Sequence, residues 1–202
     1  MKDVFLVYNN CCFYEIVILS YLMHFSRCSL VFCSPDGEPV KAMEGFSVHA
    51  DMPLSDLDKE DIRSFILPGG NISEVDRADV KAYLRDLKGR GVLIAGICAG
   101  VDVLDHAGIL CDVKSTHSTD EDWVSDRNVI TARANAYVDF AIEVAKALNL
   151  FAGEKICRRR SISGSIIAEC NDRHRTRTGL CRRVRLGMRK IGSSPGNHIT
   201  PP

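Results

Sequence analysis

The feature that most constrains this chain is the junction at residues 91–104, GVLIAGICAGVDVL. Val92-Leu93-Ile94-Ala95 reads as a buried strand, Gly96-Ile97-Cys98-Ala99-Gly100 as a tight turn, and the rest as an apolar helix. A strand that passes into a helix through Gly-x-Cys-x-Gly is the cysteine counterpart of the nucleophile elbow. Gly96 and Gly100 are expected where a side chain would strike neighbouring backbone. The turn lifts the Cys98 sulfur to the start of the next helix, where free N–H groups and the helix dipole favour thiolate over thiol. The Cys98 pKa is therefore expected below its free value. The plainer alternative is a structural cysteine in a glycine-flanked turn.

Apolar runs at residues 3–8 (DVFLVY), 28–33 (CSLVFC), 64–71 (SFILPGGN) and 128–132 (NVITA) read as strands, with one more short strand within 46–57. Between them lie an apolar segment at 13–25 and a helical pattern from residue 76 carrying Val80, Tyr83, Leu84 and Leu87, closed by Gly91. The clearest helix follows the last strand, with Tyr137, Phe140, Ala141, Val144, Ala145 and Leu148 on one face. Strands alternating with helices imply right-handed crossovers and a parallel sheet. Strands that are apolar throughout, rather than alternating, imply a sheet covered on both faces. The expected fold is α/β: a three-layer, flavodoxin-like sandwich with a mostly parallel sheet.

The net charge of zero hides a division. Residues 151–202 hold 12 of the 26 Lys and Arg but 3 of the 26 Asp and Glu, leaving 14 against 23 in the first 150. The organisation expected is an α/β domain over 1–152 and a basic tail over 153–202, either disordered or non-native, without a sustained apolar period. The tail's charge could attract nucleic acid, but it lacks aromatic platforms or a binding motif, so no nucleic-acid partner is expected. No apolar stretch approaches the roughly 20 residues of a membrane span, and the start of the chain has no signal-peptide layout, so a cytoplasmic protein is expected. The nine cysteines are scattered, with no C-x-x-C pair, which suggests free thiols and no structural metal site. The vicinal Cys11-Cys12 pair reads as buried filler.

Two further features suit an elbow cysteine. The Pro68-Gly69-Gly70 loop ends the preceding strand and can lie beside Cys98, and the N–H groups of Gly69, Gly70 and Ala99 would form an oxyanion hole or an anion site. Glu15 is the one charged residue between Val4 and Met23. An unpaired carboxylate in apolar surroundings is costly, so Glu15 is either an ordinary first-turn residue of a helix or a group that shares a proton with Cys98.

Together, Glu15, FILPGG at 65–70 and AGICAG at 95–100 resemble the ThiJ/PfpI family, of the parkinsonism-associated deglycase type, within the class I glutamine amidotransferase-like superfamily. AGIL at 107–110, STHS at 115–118 and ITARANAYVDFAIEVAKAL at 130–148 extend the likeness over about residues 2–150. The resemblance implies that Cys98, Glu15 and the N–H groups of Gly70 and Ala99 form the site. It offers His117, taken to lie in a strand, as a third member. Ala99 stands where protease-like relatives carry a histidine, which weakens a peptidase reading, and Val101 replaces a frequent proline. His24, His49, His106 and Trp123 read as structural or surface residues. The resemblance further implies a cofactor-independent enzyme that acts on small aldehydes (methylglyoxal to lactate, or a deglycase-like reaction). It also implies a homodimer, with the apolar residues 16–23 of the first helix supplying part of the interface. A redox-sensing stress protein using an oxidisable Cys98 and a small-ligand binding module are the alternatives. An amidotransferase role is not expected, for want of a partner synthetase domain and a clear Cys-His-Glu triad.

Overall fold

The structure, a computed structural model, describes residues 1–151, which belong to one compact unit. The basic segment expected over 153–202, and the boundary at 152, lie outside the described residues.

Along the chain run β1 (Lys2–Leu6), α1 (Tyr14–Phe25), β2 (Leu30–Ser34), the hairpin β3 (Val40–Lys41) and β4 (Ser47–Val48), and β5 (Met52–Pro53). There follow β6 (Ile62–Leu67), α2 (Ala78–Gly89), β7 (Leu93–Ile97), α3 (Gly100–His106), β8 (Trp123–Asp126), β9 (Val129–Ala132) and α4 (Tyr137–Ala147). Seven strands form one sheet in the order β5-β2-β1-β6-β7-β9-β8, parallel throughout except for β8 at the edge. The expected α/β class and mostly parallel sheet are what the chain forms.

The layering follows from the strand sequences. Val4, Phe5 and Leu6 on β1 and Phe65, Ile66 and Leu67 on β6 are all fully buried, so successive residues on opposite faces of the sheet are both covered. The chain steps one way from β1 to β2 and the other way from β6 to β7 to β9. Right-handed crossovers then place α1 on one face and α2 and α3 on the other. Helix α4 returns to pack on α1, and α2 packs on α3. Gly91 ends α2 as expected, at φ +75° with its N–H donating to the Lys88 carbonyl. The reversal lies between β1 and β6, and the crevice beyond the carboxyl ends of the strands at such a point is where α/β sheets place their ligands.

Three parts differ from expectation. Residues 115–118 form a turn, not a strand. Their hydroxyls are the cause: the Ser115 N–H donates to Ser118 Oγ, Thr119 Oγ1 donates to the Ser115 carbonyl, and the Thr116 N–H donates to Thr131 Oγ1. Side chains that bond local backbone in this way compete with a sheet ladder. Strand β8, unforeseen, pairs antiparallel with β9 through a turn at Arg127, φ +53°. In α1 the expected interface stretch is largely core, since Ile16, Leu19 and Met23 are fully buried. The exposed apolar residues of α1 are Tyr14, Val17, Tyr21 and Phe25.

Candidate active site

Strand register brings the site together. Leu67 on β6 pairs with Gly96 on β7, so the loop at 68–70 and the elbow leave the sheet at one level. On the other flank β1 pairs with β6, Phe5 opposite Ile66. The fully buried Tyr8, just beyond β1, therefore comes level with the same loop, its hydroxyl 2.8 Å from the Pro68 carbonyl and 2.9 Å from that of Gly69. Three consecutive parallel strands deliver three loops to one place.

The elbow is real in its backbone. Cys98 sits at φ +56°, a region a non-glycine residue occupies only where its surroundings over-determine it. A side chain on Gly100 would fall 2.4 Å from the Leu67 carbonyl oxygen and 2.7 Å from that of Pro68, a clash with backbone as expected. Gly96 differs: a Cβ there would meet the side chain of Leu104 at 2.7 Å, so its need is packing under the elbow helix. A third glycine matters as much. A Cβ on Gly69 would lie 2.6 Å from Cys98 Cβ and 2.9 Å from its sulfur, so the space the thiol occupies is the space Gly69 leaves empty.

Glu15, in the first turn of α1, is 0% exposed. Its Oε2 accepts a hydrogen bond from the Gly69 N–H at 2.7 Å, and Oε1 has no partner among the described residues. The carboxyl adjoins Cys98 closely enough for each to move the other's proton affinity, though no hydrogen bond of ordinary geometry satisfies Oε1. Burial pushes the Glu15 pKa up, opposed by the Gly69 N–H. Burial, then the Glu15 charge, pushes the Cys98 pKa up as well, while the Ala99 N–H draws it down. The lowered thiol expected from the elbow alone is thus reversed, because burial, and after it the facing carboxyl, outweigh the helix start.

The glycine loop is anchored from both sides. The Gly69 N–H is committed to Glu15, and its carbonyl accepts from the Cys12 N–H at 2.8 Å. Gly69 therefore has no N–H to offer an oxyanion. The Gly70 N–H donates to no group among the described residues, and Gly70 holds φ +117° where a Cβ would lie 2.1 Å from the Asn10 carbonyl oxygen. The Gly70 N–H and the Ala99 N–H, which points to the Cys98 sulfur, are the donors left.

His117 stands apart from the pair. Its side chain is 38% exposed, with Nε2 3.1 Å from Asp102 Oδ1 and Nδ1 3.6 Å from Asp105 Oδ2, both on α3. No hydrogen bond or ion pair among the described residues joins it to Cys98 or Glu15. Asp102, its partner, lies near enough for its charge to raise the Cys98 pKa. Tyr8, which sequence reasoning passed over, and Cys12, which it read as buried filler, both bond the glycine loop. The signal for Tyr8 was a lone hydroxyl ending an apolar run; for Cys12 it was its place three residues before the isolated glutamate. Among the described residues no cluster of three or more His, Cys, Asp or Glu is arranged to hold a metal ion.

A cysteine elbow at positive φ, a buried carboxyl and a glycine loop meet at the carboxyl edge of a mostly parallel α/β sheet. Residues 1–147 match the DJ-1/PfpI family, and the chain belongs to it. The chain is 30% identical over 141 residues to an uncharacterized protease, YoaZ, of Bacillus subtilis, covering 59% of this chain and 66% of that protein, just under two thirds. It is 30% identical over 121 residues to a deglycase of Pyrococcus horikoshii, covering 57% of this chain and 71% of the deglycase. Among solved structures, a DJ-1 superfamily protein of Agrobacterium tumefaciens aligns with a TM-score of 0.70 at 29% identity, over 75% of this chain and 91% of that one. No helix among the described residues is long and apolar enough to cross a membrane.

Proposed function

We propose that the protein is a cysteine-dependent, cofactor-independent enzyme that converts small reactive dicarbonyls to hydroxy acids, methylglyoxal to lactate being the model reaction. The observation that carries this reading is the fully buried Glu15, with one oxygen unpartnered beside the Cys98 thiol. A neutral carboxyl so placed can give and take a proton at an atom held close to sulfur. A relative of Caenorhabditis elegans named as a glutathione-independent glyoxalase, 24% identical over 150 residues, supports a reading of this kind.

In the reaction the Cys98 thiolate attacks the aldehyde carbon, a C–S bond forms, and the carbonyl electron pair moves to oxygen. Ala99 and Gly70 N–H groups stabilise that oxyanion, which then takes the Glu15 proton. Glu15, now a carboxylate, removes the proton from the former aldehyde carbon and delivers it to the neighbouring carbon, while the proton on the first oxygen passes to the second, leaving a thioester beside a hydroxyl. The first carbon is thereby oxidised and the second reduced, with no external electron acceptor. Water cleaves the resulting thioester, releasing the hydroxy acid and the thiol.

The chain is also proposed to act as a homodimer. Tyr14, Val17, Tyr21 and Phe25, spaced at three and four residues, are 45%, 45%, 61% and 50% exposed and form one apolar face of α1.

The test is methylglyoxal consumption with lactate detection in the full chain. Cys98→Ser is expected to abolish lactate, and Glu15→Ala to lower turnover by roughly 10²- to 10⁴-fold while Cys98 stays open to alkylation. Full activity in Cys98→Ser overturns the reading. Ligand binding without turnover in both wild type and Cys98→Ser would favour a binding module instead.

A further inference from the structure

The site holds a second sulfur that the aldehyde chemistry does not use. Cys12 lies three residues before Glu15, at the entry to α1, and is 8% exposed. Its N–H donates to the Gly69 carbonyl at 2.8 Å, and Gly69 is the residue whose missing side chain houses the Cys98 thiol. One glycine therefore separates the two cysteines. The one hydrogen-bond partner of the Cys12 thiol among the described residues is the Met43 thioether, at 3.6 Å, a weak acceptor. The other described cysteines lie elsewhere. Cys28 is against Arg63, and Cys33 is sealed in β2. Cys111 is exposed beyond α3, and the fully buried Cys11 has its carbonyl tied to Met43.

We propose that Cys12 is the resolving thiol for Cys98: once a peroxide has oxidised Cys98 to the sulfenic acid, Cys12 closes a disulfide with it across Gly69. The inference needs only an oxidisable, half-buried thiol at Cys98, and so it stands or falls apart from aldehyde turnover. In the first step the Cys98 sulfur takes the distal peroxide oxygen, the O–O bond breaks, and the departing oxygen collects a proton. Sulfur loses two electrons and the peroxide gains them. In the second step the Cys12 sulfur attacks that of Cys98, the S–S bond forms as the S–O bond breaks, and the oxygen leaves as water with the Cys12 proton. Left to itself Cys12 is a reluctant nucleophile, since burial and the neighbouring Glu15 push its thiol up to about 12. That proton passes to the leaving oxygen as the S–S bond forms. A dithiol reductant reopens the bond and is itself oxidised. The pairing diverts Cys98 from the irreversible sulfinic acid.

The experiment treats the reduced full chain with hydrogen peroxide at near-stoichiometric amounts, blocks free thiols by alkylation, and maps the peptides by mass spectrometry with and without dithiothreitol. The expected result is a dithiothreitol-reversible Cys12–Cys98 peptide in wild type. That peptide is lost in Cys12→Ser, where Cys98 passes to sulfinic acid, and is kept in Cys11→Ser. A wild-type map showing Cys98 sulfinic acid without the cross-link overturns the inference, as does a Cys11–Cys12 bridge in its place. The wild-type map decides even if a variant folds poorly. Methylglyoxal turnover, measured on the same reduced samples, reports separately on the aldehyde reading.

Discussion

Gly100→Ala sets two magnitudes against each other. Gly100 opens α3 with an ordinary negative φ, so helix propensity alone favours alanine by roughly 0.5–1 kcal/mol. The structure opposes this. The new Cβ would stand 2.4 Å from the Leu67 oxygen, 2.7 Å from the Pro68 oxygen and 3.1 Å from the Leu67 carbonyl carbon, all backbone atoms at the end of β6. A rotating side chain cannot relieve that, so either the elbow or the loop must shift. Overpacking of this kind costs about 1–3 kcal/mol, which leaves a net loss of about 0–2.5 kcal/mol after the helix gain. For a chain of 202 residues that is a fall in Tm of up to roughly 10 °C. Gly89→Ala in α2 is the matched control, because nothing lies within 4 Å of its added Cβ and only the helix gain remains. Urea unfolding of the three full-length proteins measures the difference, with unchanged slopes required so that midpoints report stability. Cys98 alkylation should also change in Gly100→Ala alone, since the loop that must retreat carries Gly69. If Gly100→Ala is as stable as Gly89→Ala, the steric reasoning about the elbow is wrong.

Other outcomes follow from the same geometry. In the folded state Glu15 holds its proton above the usual carboxylate range, so its contribution to stability is full below an unfolded value of about 4.3 and is lost as pH rises through the folded value. Glu15→Gln should remove that loss, giving a stability advantage over wild type that widens with pH across that window; an advantage independent of pH would refute the assignment. Tyr8→Phe leaves the Pro68 carbonyl without its buried donor and should cost about 1–3 kcal/mol, read as a lower urea midpoint. If the exposed face of α1 joins two copies, Val17→Asp with Tyr21→Arg should halve the hydrodynamic mass at unchanged circular dichroism. A wild type that is already monomeric would end the dimer reading.

The fold was legible where a pattern ran long enough to have a period. The 3.6-residue spacing of Val80, Leu84 and Leu87 marked α2, and that of Phe140, Ala141 and Val144 marked α4. Two-residue strands such as β3, β4 and β5 carry no period, so the hairpin over 40–48 could not be read. Residues 123–132 concealed a hairpin because its turn uses Arg127 at positive φ in place of glycine. At 115–118 the turn is made by hydroxyls bonding local backbone, a choice between partners that composition alone does not decide. His117 lies in that turn, where its ring meets Asp102 and Asp105.

The site divides along the same line, and the division has one cause. What was legible, the elbow glycines and the isolated Glu15, is a local mismatch between a residue and its neighbours in sequence. What was not legible converges on the Gly69 peptide unit: its N–H holds Glu15, its carbonyl holds Cys12 and Tyr8, and its absent side chain holds the Cys98 sulfur. Those partners lie 54, 57, 61 and 29 residues away in the chain, and they meet only because β1, β6 and β7 are adjacent and parallel. The thiol's proton affinity is a property of that adjacency. Read locally, the elbow makes Cys98 more acidic; read with β1 in place, burial and the facing carboxyl oppose it. The sheet order, more than the elbow motif, therefore decides the chemistry available at Cys98.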